Sequence, residues 1–162
     1  MGLCGGLDPA LRPDQVVVAD RVLSLEPREE YPARWPGCTA SGTVCGGVLT
    51  VDRFVERPEE RRDLRSTGAV AVEMEAAGVA AEALKRELPF FCIRAVSDGA
   101  EMTFRIDYNR ARLSNGRFSE VRVAREAGLS PACWKEVIWL WRRARSAAEA
   151  LGDFFASFRF QI

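Results

Sequence analysis

Residues 89–100, PFFCIRAVSDGA, constrain this chain more than any other stretch. They form a nearly continuous apolar run, interrupted by Arg94 and closed by Ser97-Asp98-Gly99. A short run of this kind, bounded by turn residues, predicts a strand buried on both faces. Strands of that type belong to open α/β sheets, where ligands bind in the crevice beyond the carboxyl ends. Asp98 falls at such an end. Just upstream, residues 69–88, AVAVEMEAAGVAAEALKREL, begin as a short apolar strand and become a helix pattern rich in Ala, Glu, Leu and Lys. The order of strand, glutamate pair, helix, strand and aspartate brings Glu73, Glu75 and Asp98 toward one sheet edge. Each residue also has a plainer reading. Either glutamate can complement the positive end of the helix, and an aspartate before glycine suits a turn.

Composition narrows the chemistry. A chain of 162 residues suits one domain, residues 1–162, with a sizeable core. Its 23 basic and 23 acidic residues cancel, so no field draws in nucleic acid. Histidine is absent, which removes Cys/His zinc sites and His-dependent nucleophilic catalysis. The expected site therefore holds no metal and no cofactor. Cys4, Cys38, Cys45, Cys92 and Cys133 are odd in number and lack C-x-x-C spacing, which predicts free thiols in a reducing cytoplasm. No apolar run reaches the roughly 20 residues of a membrane span.

Along the chain, Gly2, Gly5 and Gly6 predict a glycine-rich turn whose backbone approaches a ligand closely. Residues 15–19, QVVVA, read as a buried strand. Residues 20–41 carry prolines and charges without periodicity and read as a long surface connection. Residues 42–55 read as a second strand region. Residues 56–67, ERPEERRDLRST, read as a solvated helix or loop in which Leu64 alone points inward and Pro58 occupies the first turn. Residues 101–126, with a turn at Ser114-Asn115-Gly116, suggest a flap in which Met102, Phe104 and Tyr108 line an apolar opening. Residues 130–158 predict a long amphipathic helix, with Ser130 as cap and Pro131 next. Its stripe contains Trp134, Val137, Ile138, Trp141, Ala148, Leu151, Phe155 and Phe158. Packing on the sheet is the first reading of that helix. Arg142, Arg143 and Arg145 beside Trp and Phe also fit peripheral contact with a membrane surface.

AVEMEAAGVA at residues 71–80, followed by FFCIRAVSDGA at residues 90–100, resembles the purine nucleoside phosphorylase and nucleosidase superfamily. That superfamily includes the methylthioadenosine/adenosylhomocysteine nucleosidases. The opening GLCGGLDPALRPDQVVVAD resembles the family's glycine-rich turn and following strand, and points to the hopanoid-associated phosphorylase-like nucleosidases. The resemblance implies a three-layer α/β/α fold of the phosphorylase/hydrolase type, with a central mixed sheet lacking the first strands. GLCGG follows Met1 at once, whereas in the family this turn comes after strands that carry part of the nucleophile site. The chain thus reads as N-terminally truncated relative to the family.

The same resemblance implies cleavage of the N-glycosidic bond of a purine nucleoside, with water or phosphate as nucleophile and a homo-oligomeric assembly. Release of adenine from adenosylhopane is the finer expectation. Protonating the leaving base asks for a carboxylic acid near N7, and Asp98 is the candidate, oriented by Ser97. Arg94 matches a position near the nucleophile; the alternative is structural pairing of a buried charge. Glu75 corresponds to the ribose-binding carboxylate and Met74 to a residue packed on the sugar, with Glu73 a further candidate. Within TVDRFV, Phe54 corresponds to the aromatic that stacks on the purine, with Val55 beside it; ordinary core packing is the alternative for Phe54. Gly5 and Gly6 correspond to the glycine-rich loop. Leu3 stands where a serine often contacts phosphate or water, which favours hydrolysis over phosphorolysis. A reading from another class also stands: a nonenzymatic remnant that binds a ligand or partner without turnover.

Overall fold

A computed structural model describes residues 1–35, 42–113, 116 and 118–157. Cys38, Ser114, Asn115 and Phe158 lie outside the described residues. Six strands build the sheet: β1 (Gly2–Gly6), β2 (Val16–Ser24), β3 (Glu29–Pro32), β4 (Val44–Thr50), β5 (Ala69–Glu73) and β6 (Ile93–Asp98). Five helices surround them: α1 (Pro58–Arg65), α2 (Ala76–Lys85), α3 (Tyr108–Ala111), α4 (Glu120–Ala127) and α5 (Pro131–Ser157). Among the described residues, no helix is long and apolar enough to cross a membrane.

The sheet is mixed, as expected, with strand order β3-β2-β4-β5-β1-β6. β2 and β4 run parallel, as do β4 and β5, and β1 and β6. β1 is antiparallel to β5. Val16, Val17 and Val18 of β2 also pair antiparallel with Ala95, Arg94 and Ile93 of β6, which curls the sheet into a closed ring. Closure satisfies the backbone groups of β6 on both sides, so this strand has no open edge.

All six residues of β6 are buried, as the apolar run predicts, although Phe90 and Phe91 precede the strand rather than belong to it. β2 shows how the layers form. Val17 and Ala19 pack in a cluster with Ala76 and Ala77 of α2. Val16 and Val18 pack in another with Ala147, Leu151 and Phe154 of α5. Alternation of side chains along the strand therefore places α2 and α5 on opposite faces. Leu64 of α1 joins a third cluster with Leu49, Ala69 and Val72.

Several local expectations are corrected. The glycine-rich segment is a central strand, β1, and not a turn. Small residues are needed there because bulky side chains of neighbouring strands cross its surface: a Cβ on Gly2 would lie 2.1 Å from Nη1 of Arg94. Residues 20–24 continue β2 and residues 29–32 form β3, because main-chain pairing supplies order that a polar sequence does not advertise. In residues 56–67, Arg61 turns inward together with Leu64.

The flap contains α3 and α4, with Asp107 and Ser119 as their side-chain caps. Phe104 and Tyr108 are buried in a cluster with Ile106 and Ala127. The carboxylate of Glu136 fastens this region to α5 by accepting from the N–H groups of Arg105 (2.8 Å) and Ile106 (3.2 Å). Along α5, the sheet takes Ala147, Leu151 and Phe154, while Trp134, Ile138 and Trp141 of the expected stripe are exposed. The N-terminal half of α5 meets the flap through Val137, Trp139 and Leu140, which turns the Trp134 side outward.

Candidate active site

β1 separates the two strands that carry the carboxylates. It is parallel to β6 and antiparallel to β5, so β5 and β6 oppose each other. Gly5 is level with Asp98 on one side and with Val72 on the other. Glu73 and Asp98 therefore do not share a carboxyl edge. They flank β1, and a cavity of about 340 Å3 lies over the face of β1 between them. That size falls at the lower end of small-molecule pockets, roughly 300–1,000 Å3.

Eight of the ten expected site residues line this cavity: Gly5, Phe54, Val55, Glu73, Met74, Glu75, Ser97 and Asp98. Gly6 and Arg94 do not. Leu3 and Cys4 contribute the floor from β1, and Leu140 and Ala144 of α5 a wall. Phe118, 40% exposed, belongs to the lining, whereas Met102, Phe104 and Tyr108 do not, which corrects the expected role of those three.

Asp98 is buried, and both carboxylate oxygens are engaged. Oδ1 accepts from the Ser97 hydroxyl at 2.6 Å, and Oδ2 pairs with Nη2 of Arg61 at 2.5 Å. Sequence reasoning anticipated Ser97 and missed Arg61. Within ERPEERRDLRST, three other arginines stand beside it, and only the helix phase shared with Leu64 marks it. Gly5 lies under this pair, where a Cβ would sit 3.0 Å from both Nη1 of Arg61 and Oδ2 of Asp98.

The two glutamates differ. The Glu73 side chain is 1% exposed. Its carboxylate accepts from the N–H groups of Glu75 (3.0 Å) and Ala76 (2.9 Å) and from the Thr50 hydroxyl (2.5 Å), and pairs with Arg94. An anion at a helix N-terminus receives unpaired N–H groups and the favourable end of the dipole. The plainer helix-end reading thus describes Glu73. Arg94 lies buried beside Gly2 as its counter-ion, in keeping with structural pairing. The Glu75 side chain is 72% exposed, lines the cavity and pairs with Nη1 of Arg94 at 3.8 Å.

Phe54 forms the aromatic wall. Its ring meets Phe104 at 4.9 Å, Tyr108 at 5.1 Å and Phe118 at 6.0 Å between centroids. The Asn109 side chain clamps its backbone, accepting from the Phe54 N–H at 2.8 Å and donating to its carbonyl at 2.9 Å. Phe54 and Phe118 thus present aromatic surface to the cavity, backed by the buried rings of Phe104 and Tyr108.

Burial, reinforced by the Asp98 charge, pushes the Cys4 thiol well above its ordinary 9.0, so it is a neutral part of the floor. Burial and then Glu136 push the Tyr108 hydroxyl up in the same way. The two cations of the lining are both paired, Arg61 with Asp98 and Arg53 with Glu60 at 2.6 Å.

The model of the phosphorylase superfamily matches residues 37–127, more than half of the chain. The 5′-methylthioadenosine/S-adenosylhomocysteine nucleosidase of Listeria monocytogenes is 40% identical over 92 residues, which cover 56% of this chain and 39% of the relative. The nucleosidase of the same name from Mycobacterium bovis is 30% identical over 156 residues, covering 67% of this chain and 61% of the relative. This chain thus spans only part of the length of both. Among solved structures, the Helicobacter pylori nucleosidase with butyl-thio-DADMe-Immucillin-A aligns with a TM-score of 0.59 and 19% identity, over 97% of this chain and 66% of that one. A mutant of the Helicobacter pylori protein with 5′-methylthioadenosine in its active site aligns with a TM-score of 0.55 and 20% identity, over 97% and 67%. At these identities the likeness is one of fold.

Proposed function

Since the chain belongs to the phosphorylase superfamily, we propose that it cleaves the N-glycosidic bond of an adenine nucleoside by hydrolysis. The observation that carries this reading is the meeting of Asp98, Ser97, Glu75, Met74 and Phe54 around one cavity, from three separate segments of chain. In the proposed arrangement the base lies along Phe54, with Asp98 at its imidazole edge. Ser97 fixes the Asp98 carboxyl by its hydroxyl, and the carboxyl delivers a proton to the departing base. Glu75 receives the ribose hydroxyls, and its negative charge offsets the positive charge that grows on the sugar. Met74 packs on the ribose face.

Water is favoured over phosphate for a physical reason. A phosphate dianion needs free positive charge or several N–H donors, and both lining arginines are already paired with carboxylates. Leu3 adds an apolar side chain to the floor.

The 5′ side of the substrate remains within the same reading. Leu3, Leu140, Ala144 and Phe118 are apolar members of the lining, which suits an apolar 5′ group such as a thioether. A bulkier apolar group, as in an adenosylhopane, would extend past Phe118, which is 40% exposed.

The test is adenine release by the chain from adenosines carrying methylthio and longer alkyl 5′ groups. Asp98→Asn keeps the shape and removes the transferable proton, so turnover falls by roughly 10²–10⁴-fold while the melting curve stays cooperative. Near-full activity in that variant places the acid elsewhere. No base release from any substrate by the wild-type chain favours the alternative of a module that binds a ligand without turnover.

A further inference from the structure

We propose that Arg61 is a positioning residue of this site, one that fixes the Asp98 carboxylate and the Phe54–Val55 wall in a single frame. The inference rests on the nucleosidase reading for its catalytic consequence, though not for its structural one. Arg61 is 1% exposed, one of the most buried charged residues among those described. Its guanidinium reaches three separate parts of the chain. Nη2 donates to the Val55 carbonyl at 2.9 Å and to Oδ2 of Asp98 at 2.5 Å. Nη1 donates to the Gly99 carbonyl at 3.0 Å and the Gly6 carbonyl at 3.3 Å. The ring of Phe104, itself packed on Phe54, lies 5.8 Å from the guanidinium carbon.

A rigid planar fork with several donors is the group suited to joining acceptors of different directions. Here it joins the segment that carries the aromatic wall, the end of β1 and the turn after β6. A ligand held between Phe54 and Asp98 is thus gripped by two walls whose separation one side chain sets. Misplacement of reacting groups by an ångström costs about a hundredfold in rate. The backbone carbonyls of Val55, Gly6 and Gly99 hold the guanidinium in place independently of its bond to Asp98.

Three variants of the chain separate this from mere structural support. Arg61→Met removes the fork, Arg61→Lys keeps the charge with one point of contact, and Gly5→Ala presses a methyl against the pair without altering charge. Arg62→Met, at an exposed position on the same helix, is the control. Two readouts are used: hydrogen exchange of residues 53–57 and 98–101, and steady-state adenine release at a temperature where each variant is folded.

Arg61→Met and Gly5→Ala are expected to speed exchange in both segments together. They also raise KM and lower kcat, with kcat/KM of Arg61→Met down about a hundredfold. Arg61→Lys recovers part of both, and Arg62→Met changes neither. A purely structural role lowers the folded fraction, and so apparent kcat, with KM unchanged. Unaltered exchange in folded Arg61→Met and Gly5→Ala overturns the proposal, and so does an unchanged KM in both. If the wild type releases no base, the nucleosidase reading fails by itself, and exchange alone decides for or against the positioning role.

Discussion

Glu73 and Glu75 are two residues apart in VEMEA, yet their substitution should have opposite consequences. Glu73→Gln preserves volume and removes charge from a carboxylate that is the counter-ion of buried Arg94 and the acceptor for the Glu75 and Ala76 N–H groups. One face of the new amide can still accept, but its NH2 group meets N–H donors at the helix end. Leaving one partner of a buried ion pair uncompensated costs about 3–5 kcal/mol. At roughly 2–4 °C per kcal/mol for a chain of this size, the melting temperature falls by about 6–20 °C. Glu75→Gln alters a side chain that is 72% exposed, so its effect on stability stays within about 0.5 kcal/mol. On the proposed nucleosidase reading, activity reverses the order: Glu75→Gln should weaken ribose contacts and lower kcat/KM without loss of fold. Urea unfolding and thermal melting by circular dichroism, with adenine release measured alongside, distinguish the two. A Glu73→Gln variant within 1 kcal/mol of wild type refutes the assignment of Glu73 as the anchor. Equal loss of stability from both variants refutes the division of roles. The double variant Glu73→Leu/Arg94→Met should be less destabilised than the sum of its single changes, because neither charge is then stranded.

Alkaline stability and the aromatic wall supply further tests. Cys4 and Cys92 keep their protons in the folded state above the ordinary thiol value of 9.0, and Tyr108 above the ordinary 10.0. Groups raised in this way contribute stability that is intact below the unfolded value and is lost as pH rises. Unfolding free energy should therefore decline from about pH 9, by up to about 1.4 kcal/mol per pH unit for each such group. Cys4→Ala should flatten that decline in pH-dependent urea titrations; an unchanged slope refutes the contribution of Cys4. Asn109→Ala leaves the Phe54 N–H and carbonyl without their partner, at a cost of about 1–3 kcal/mol. Chemical denaturation that gives a change below 0.5 kcal/mol argues against the clamp.

Much of this protein is legible from local pattern. An apolar run of β-branched and small residues predicts the buried strand β6, because a strand covered on both faces cannot alternate. An Ala-, Glu- and Leu-rich stretch predicts α2, and Pro58 predicts the start of α1, because propensity and the missing N–H act within one turn of chain. The residues around the cavity follow from a resemblance carried by VEMEA and IRAVSD. Pairing partners are another matter. Whether GLCGG is a turn or a central strand depends on β5 and β6 offering backbone groups on either side, and nothing within GLCGG encodes them. The insertion of β1 also reverses β5 relative to β6, so Glu73 and Asp98 flank a strand instead of sharing an edge. Charge is the least legible property of all. Arg61 and Arg62 are neighbours with the same side chain, one 1% exposed beneath a carboxylate and the other in solvent. Their sequence surroundings are nearly alike, and the difference arises only because the phase of α1 against β5 points one of them at an acid 37 residues further along the chain. Burial of a charge is set by the partner that compensates it, and for Arg61 that partner is supplied by the tertiary fold.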